Sequence, residues 1–151
     1  MVFIHCILKI VIYIFNFLLV LTTHAFAQLP NWMWVKSDTG NSSCTGTSIA
    51  IDKFGNSYVT GYFSSQSIIL GSYVIQNNSI VMNNSNPSDV FIVKYGPFGN
   101  LLWAKGFGGV YNDYAMSVTV DVNGDIILTG SFESPSITIG GVLLTNNGSI
   151  G

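Results

Sequence analysis

Oxygen-bearing side chains recur at alternate positions in Asp121, Asn123 and Asp125, a spacing that is typical of calcium-binding loops. The stretch lacks the later glycine and the distal glutamate of such loops, and the equivalent stretch Asp52–Asn56 has Phe54 at its middle position. A hairpin turn is the alternative, because an aspartate side chain accepts hydrogen bonds from the backbone N–H groups that follow it. We favour the turn and keep Asp121, Asn123 and Asp125 as the one candidate for a metal site.

Residues 28–151 lack the side chains that acid–base and nucleophilic catalysis commonly use. Both histidines, His5 and His24, precede residue 28, and the chain has no arginine. A Ser-His-Asp triad, a Cys-His pair and a His-based zinc site are therefore excluded from residues 28–151. Asp52 and Asp121 could act as paired carboxylates in glycoside hydrolysis, but each directly precedes a predicted turn, which favours a structural role. We expect no enzymatic activity, no catalytic residue and no cofactor.

The charge balance argues against nucleic acid as a partner. Residues 28–151 contain four lysines and seven acidic residues, which leaves a net charge of −3. Neutralising phosphates requires clustered lysine and arginine, and the sequence has no such cluster. The sequence therefore predicts a partner other than DNA or RNA.

The first 27 residues have the organisation of a secretory signal peptide. Lys9 lies near the start, an apolar run from Ile10 to Leu21 follows, and Ala25 and Ala27 supply the small-x-small cleavage pattern. The apolar run also approaches the roughly 20 residues that span a bilayer, so a retained anchor is the alternative. We expect cleavage after Ala27, a secreted or cell-surface location, and membrane contact only if this segment is retained.

The sequence repeats itself with an offset of 69 residues, because Trp34-Val-Lys36 aligns with Trp103-Ala-Lys105 and the alignment continues without a gap. Of the 45 positions from 34 to 78, 15 are identical in the two copies. A period of this length indicates a repeat architecture such as a propeller or a solenoid. The resulting division is a signal peptide (1–27), a lead-in (28–33), a first repeat (34–102) and an incomplete second repeat (103–151).

Three residues after position 27 have both a structural and a functional interpretation. Cys44 has no second cysteine to pair with in residues 28–151, so it is either a small buried residue or a reactive thiol. Trp34 and Trp103 could stack on sugars, but their recurrence at one position of the repeat favours packing between sheets. We favour the structural interpretation for all three.

Each copy shows the pattern of short strands joined by turns. Alternating apolar residues around glycine-containing turns predict hairpins at 48–63, 117–132, 67–76 and 136–145, and a further strand pair at 89–95 and 101–105. No segment after residue 27 combines a helical period with capping residues. The sequence therefore predicts an all-β fold with almost no helix.

Two strings carry a resemblance to a known family. Residues 89–109 read DVFIVKYGPFGNLLWAKGFGG, and the segment that begins at Ser117 reads SVTVDVNGDIILTG. They resemble the SBBP-type bacterial β-propeller repeat, in which such strands recur from blade to blade. The resemblance implies tandem four-stranded antiparallel blades around a central axis. Fewer than two blades are expected here, whereas propellers typically have four to eight.

The resemblance and the missing catalytic groups favour a non-catalytic binding or structural module of a secreted or cell-surface protein. The expected ligand is an unknown protein or glycan that contacts the loops. A lone blade leaves its faces uncovered, so we also expect contact with further blades of the same parent chain or self-association. The alternative is the N-terminal part of an extracellular polysaccharide-acting enzyme, with its catalytic residues on blades outside this chain.

Overall fold

A computed structural model of the chain describes residues 31–37, 43–79 and 86–148. The chain divides into two compact units, Met1–Trp32 and Met33–Gly151, and the described strands all belong to the second. The predicted signal peptide at 1–27 and residues 28–30 of the lead-in lie outside the described residues. No helix in the described part of the chain is long and apolar enough to cross a membrane.

The described residues form ten β-strands and no helix, which confirms the predicted all-β class. In chain order the strands are β1 (Cys44–Ile51), β2 (Ser57–Phe63), β3 (Ser67–Leu70), β4 (Tyr73–Gln76), β5 (Asp89–Tyr95), β6 (Leu101–Phe107), β7 (Asp113–Val120), β8 (Ile126–Phe132), β9 (Ser136–Ile139) and β10 (Val142–Thr145). All the strand pairs are antiparallel.

Four of these strands form one sheet in the order β1-β2-β5-β6, which we call the first sheet. The hairpin β3–β4 is inserted between β2 and β5, and the hairpins β7–β8 and β9–β10 repeat β1–β2 and β3–β4 one repeat later. The four-stranded blade that the family resemblance implies is therefore present once among the described residues. The boundary drawn at 102/103 falls within β6, so the first sheet takes its last strand from the Trp103 copy.

A β-bulge occurs at the same place in both copies and lengthens the strands beyond the prediction. Alternation predicts strands from Ser48 and Ser117, whereas β1 and β7 begin at Cys44 and Asp113. The pairing register shifts just before each serine, and this shift breaks the alternation that the prediction used. Gly61 and Gly130 lie opposite the two bulges. Glycine is required there, because a Cβ atom would collide with the carbonyl of Thr45 or of Tyr114 on the neighbouring strand.

The first sheet is apolar on both faces, because its central strands bury nearly every residue. One face packs under the β3–β4 hairpin and the other packs against the β7–β8 hairpin. The first core consists of Phe63, Ile68, Leu70, Ile75, Phe91, Val93 and Tyr95. The second core consists of Tyr58, Ile92 and Val118, with Ala50, Trp103, Phe107, Val120 and Leu128 packed around them. The second core therefore joins the two repeats.

Candidate functional site at the repeat junction

The candidate calcium ligands, Asp121, Asn123 and Asp125, lie together in the turn between β7 and β8. The Asp121 Oδ1 atom accepts hydrogen bonds from the backbone N–H groups of Asn123 and Asp125, both at 2.8 Å. These bonds, led by that from Asp125, lower the pKa of Asp121 below its usual value. In the described part of the chain, no group of three or more His, Cys, Asp or Glu side chains is arranged to hold a metal ion. The carboxylate of Asp121 therefore closes its own turn, and the calcium site stays a prediction.

Asp52 acts in the same way in the turn between β1 and β2. Its Oδ1 atom accepts hydrogen bonds from the N–H groups of Phe54 and Asn56 at 2.9 Å, and Lys94 Nζ lies 3.6 Å from its Oδ2 atom. Burial alone would raise the pKa of Asp52, but hydrogen bonds from Asn56, Phe54 and Tyr58 outweigh it and lower the pKa to about 2. The carboxylates of Asp52 and Asp121 thus each accept hydrogen bonds from the backbone N–H groups of their own turn.

Two other carboxylates, at the opposite end of the strands, are fully buried and were not singled out from the sequence. They belong to Asp89 at the start of β5 and Asp113 at the start of β7. The Asp113 Oδ2 atom accepts hydrogen bonds from the Gly109 N–H and the Ser134 hydroxyl, both at 2.8 Å. Asp113 therefore ties the connection between β6 and β7 to the end of β8.

Asp89 is less completely paired than Asp113. Its Oδ2 atom accepts a hydrogen bond from the Asn78 N–H at 2.7 Å, while its Oδ1 atom is buried with no hydrogen-bond partner among the described residues. Burial raises the pKa of Asp89, the Asn78 bond lowers it, and the negative charge of Asp113 raises it, so the pKa is about 6. A Cβ atom at Gly108 would collide with this carboxylate, which accounts for the glycine there.

The carboxylate–serine pair at Asp113 is specific to the second copy. At the matching positions, the first copy has Cys44 in place of Asp113 and Ser65 in place of Ser134. The Ser65 hydroxyl is buried with no hydrogen-bond partner in the described residues, and half-buried Cys44 packs against the first core. The sequence signal for this difference is that the serine occurs in both copies, at Ser65 and Ser134, whereas its partner position changes from Cys44 to Asp113.

Trp34 and Trp103 both pack against aromatic rings, and Trp103 does so between the two repeats, as predicted. The ring centroid of Trp34 lies 5.4 Å from that of Tyr95, and Trp34 covers part of the first core. Trp103 meets Tyr58 edge-on at 6.0 Å and packs in the second core between the two repeats.

Three turns at one end of the strands carry exposed apolar side chains, and we call this end the turn surface. Phe54, Phe98 and Val122 are between 71% and 84% exposed. The two phenylalanines belong to the same tripeptide, Phe-Gly-Asn, in neighbouring turns. Lys53 Nζ donates a hydrogen bond to the Val122 carbonyl at 3.0 Å and so joins two of these turns. The sequence predicted the turns but not this shared apolar character.

Removing the Ser134 hydroxyl should destabilise the protein, whereas removing the Ser65 hydroxyl should not. Ser134→Ala deprives buried Asp113 of a hydrogen bond, which typically costs about 1–3 kcal/mol. Ser65→Ala removes a buried hydroxyl that has no described partner, so the free energy of unfolding should change by less than about 0.5 kcal/mol. Urea denaturation of the two variants checks this prediction, and equal losses would contradict it.

Asp89 should make the protein less stable as the pH rises from about 4 to about 6. Its folded pKa is raised from 3.8 to about 6, so the folded state holds this proton more tightly than the unfolded state does. The contribution is fully present below pH 4 and is lost as the carboxyl ionises, a change of about 3 kcal/mol. Denaturation from pH 4 to pH 7 measures the free energy of unfolding of wild type and of Asp89→Asn. The loss of stability with rising pH should be seen in wild type and be absent from the profile of the variant. Parallel profiles would show that Asp89 does not titrate in this window.

Comparisons with known proteins agree with this geometry. A family model described as a β-propeller repeat (SBBP) matches residues 38–62, which include most of the β1–β2 hairpin. An uncharacterized WD repeat-containing protein of Acanthamoeba polyphaga mimivirus is 36% identical over 55 residues, which cover 36% of this chain and 4% of that protein. The chain thus spans a small fraction of that relative's length. We conclude that the chain contains a β-propeller repeat within an all-β fold.

Proposed function

We propose that this chain is a β-propeller repeat module of a secreted or cell-surface protein, with a binding or structural role and no catalytic one. The ligand is a protein or a glycan that contacts the turn surface. The observation that carries the proposal is that the apolar tips of three neighbouring turns are exposed, although turn positions are normally polar.

The use of the acidic side chains supports a non-catalytic role. Asp52 and Asp121 bind the N–H groups of their own turns, and Asp113 binds a backbone N–H and a serine hydroxyl. These oxygens are occupied by the fold, whereas a general acid or base needs an oxygen that reaches a substrate. Residues 28–151 also supply neither histidine nor arginine.

The arrangement of the turns supports a contact surface that extends over both repeats. Phe54 and Val122 come from different copies, and the hydrogen bond from Lys53 to the Val122 carbonyl holds their turns together. Pro97, beside Phe98, lies next to Gly55 in the neighbouring turn. Exposed aromatic side chains on rigid turns are suited to binding, because little conformational freedom is lost when a ligand covers them.

Serine in place of both Phe54 and Phe98 should weaken retention of the full chain on an insoluble polysaccharide by about tenfold or more. The reason is the loss of two aromatic contacts of roughly 1 kcal/mol each. Pull-down on cellulose, chitin and peptidoglycan measures retention, and Val74→Ser, which alters an exposed apolar residue on β4, is the matched control.

Equal retention of the double variant and wild type would contradict the role of the turn surface. Failure of wild type to bind any of the three polysaccharides would reject a glycan ligand and leave a protein ligand. Reducing ends released during the incubation would instead favour the enzymatic alternative.

Expression of the full chain with its own leader should yield an exported protein that begins at Gln28. The Ala25-Phe-Ala27 pattern before that residue is the physical basis, since signal peptidase requires small side chains at both alanine positions. N-terminal sequencing of the protein outside the cytoplasm checks the prediction. A membrane fraction in which the chain still carries residues 1–27 would show a retained anchor instead.

A further inference from the structure

Two tyrosines from different repeats lie in direct contact. Tyr62 is on β2 and Tyr114 is on β7, and their rings meet edge to face, with the centroids 4.9 Å apart and an interplanar angle of 86°. This separation is at the short end of the range of about 4.5–7 Å that aromatic pairs adopt. The two residues are 52 positions apart in the sequence, so only the folded chain brings their rings together.

The strand framework does not itself require a tyrosine at either position. The counterpart of Tyr62 in the second copy is Ser131, and the counterpart of Tyr114 in the first copy is Thr45. Each tyrosine also lies opposite one of these small residues, since Tyr62 pairs with Thr45 and Tyr114 pairs with Ser131. The same strand positions therefore accept small side chains, and the tyrosine pair is a particular property of this junction.

The phenol groups of the pair are near each other and partly accessible. Both Tyr62 and Tyr114 are half-buried. Burial raises the pKa of Tyr114, the charges of Glu133 and Tyr62 raise it further, and a hydrogen bond with Ser88 lowers it. The phenol of Tyr114 therefore keeps its proton at neutral pH and lies within electrostatic reach of the phenol of Tyr62.

The other described tyrosines have different surroundings. Tyr58 and Tyr95 are buried against tryptophan rings, and among the described residues no ring contact other than that of Tyr62 with Tyr114 joins two tyrosines. Residues 28–151 contain a single cysteine, so a disulfide bond within this stretch cannot join the two repeats. The tyrosine pair is the place where a covalent bond between them is sterically closest to hand.

We propose that Tyr62 and Tyr114 form a site of oxidative cross-linking, at which a haem peroxidase and hydrogen peroxide join the two repeats through a dityrosine bond. Each phenol loses one electron and its hydroxyl proton, and the unpaired electron is shared with the ring carbons next to the C–OH carbon. A bond forms between one such carbon of each ring, and the hydrogens of these two carbons move to the two phenol oxygens. One molecule of hydrogen peroxide accepts the two electrons and two protons and becomes two molecules of water.

The geometry favours coupling within the chain over coupling between chains. Two phenoxyl radicals couple only when their rings touch, and the fold already holds these rings in contact. Their partial exposure permits electron transfer to an oxidant in solution and leaves room for the tilt that turns an edge-to-face pair into a bonded one. The bond would connect β2 with β7 and so close a covalent loop across the junction.

The test treats the full chain, in dilute solution, with a haem peroxidase and hydrogen peroxide. Wild type should give a monomeric product that shows dityrosine fluorescence and is lighter than the untreated chain by two hydrogens. Proteolysis and mass spectrometry should locate the bond between the peptides that contain Tyr62 and Tyr114. Photo-oxidation with ruthenium tris-bipyridyl and persulfate should give the same product, so the result does not depend on whether a large peroxidase can approach the site.

Tyr62→Phe and Tyr114→Phe should each lose this product, because phenylalanine keeps the ring contact but has no phenol to oxidise. Tyr73→Phe is the matched control and should form the product as wild type does. Tyr73 is more exposed than either member of the pair, and its hydroxyl donates a hydrogen bond to the Leu102 carbonyl at 3.0 Å. Far-ultraviolet circular dichroism confirms that each variant keeps its sheet structure.

Two further measurements connect the cross-link with the folded junction. Oxidation in concentrated urea should lose the preference for Tyr62 and Tyr114, because the unfolded chain no longer holds their rings together. The cross-linked wild type should unfold at a higher urea concentration than oxidised Tyr62→Phe, since closing a loop restricts the unfolded chain. An equal preference in urea, equal unfolding midpoints, a wild-type product linked through other tyrosines, or no dityrosine with either oxidant would overturn the proposal.

Discussion

The structure depends on one constraint, which is that the first sheet is apolar on both faces and cannot cover both with its own strands. The inserted β3–β4 hairpin packs on one face, and its side chains complete the first core. The other face packs against β7 of the following repeat. Burial of apolar surface is the main favourable term in folding, so each repeat is stable only in contact with a neighbour.

The aspartates at the two ends of the strands differ in their surroundings. At one end, Asp52 and Asp121 hold tight turns whose tips are exposed and apolar. At the other end, Asp89 and Asp113 are buried where the chain passes from one repeat to the next. Asp52 accepts four hydrogen bonds, from Phe54, Asn56 and Tyr58, whereas Asp89 accepts one from Asn78 and has an oxygen with no described partner. Burial raises the pKa of both carboxyls, so the opposite pKa shifts of Asp52 and Asp89 follow from this difference in hydrogen bonding.

Much of the fold could be predicted from the sequence, because strand positions follow from local alternation and from the 69-residue repeat. The predicted end of the first hairpin at 63 and the predicted bounds of β5 at 89–95, for example, agree with the structure. The starts of β1 and β7 were placed too late because a bulge interrupts the alternation. The buried carboxylates could not be predicted, since Asp89 and Asp113 lie on different strands and their burial depends on how two connections pack. The turn function of Asp121 was predicted from local chemistry alone, and the exposure of Phe54 and Phe98 was not.

The hydrogen bonds that join the two repeats have a consequence for the order of events during synthesis. The bonds from Thr47 to Ala115, from Lys53 to Val122 and between Ser48 and Val118 connect residues 68 to 70 positions apart. Contacts of such long range form slowly, because a large loop must close before they stabilise anything. On the ribosome, the pair of Tyr58 and Trp103 is complete 15 residues before Val118, which covers Tyr58, has been added. The nascent chain therefore passes through a stage in which the first sheet is complete but the face that β7 later covers is still exposed. The speed of translation through the second repeat sets how long other nascent chains have access to this face.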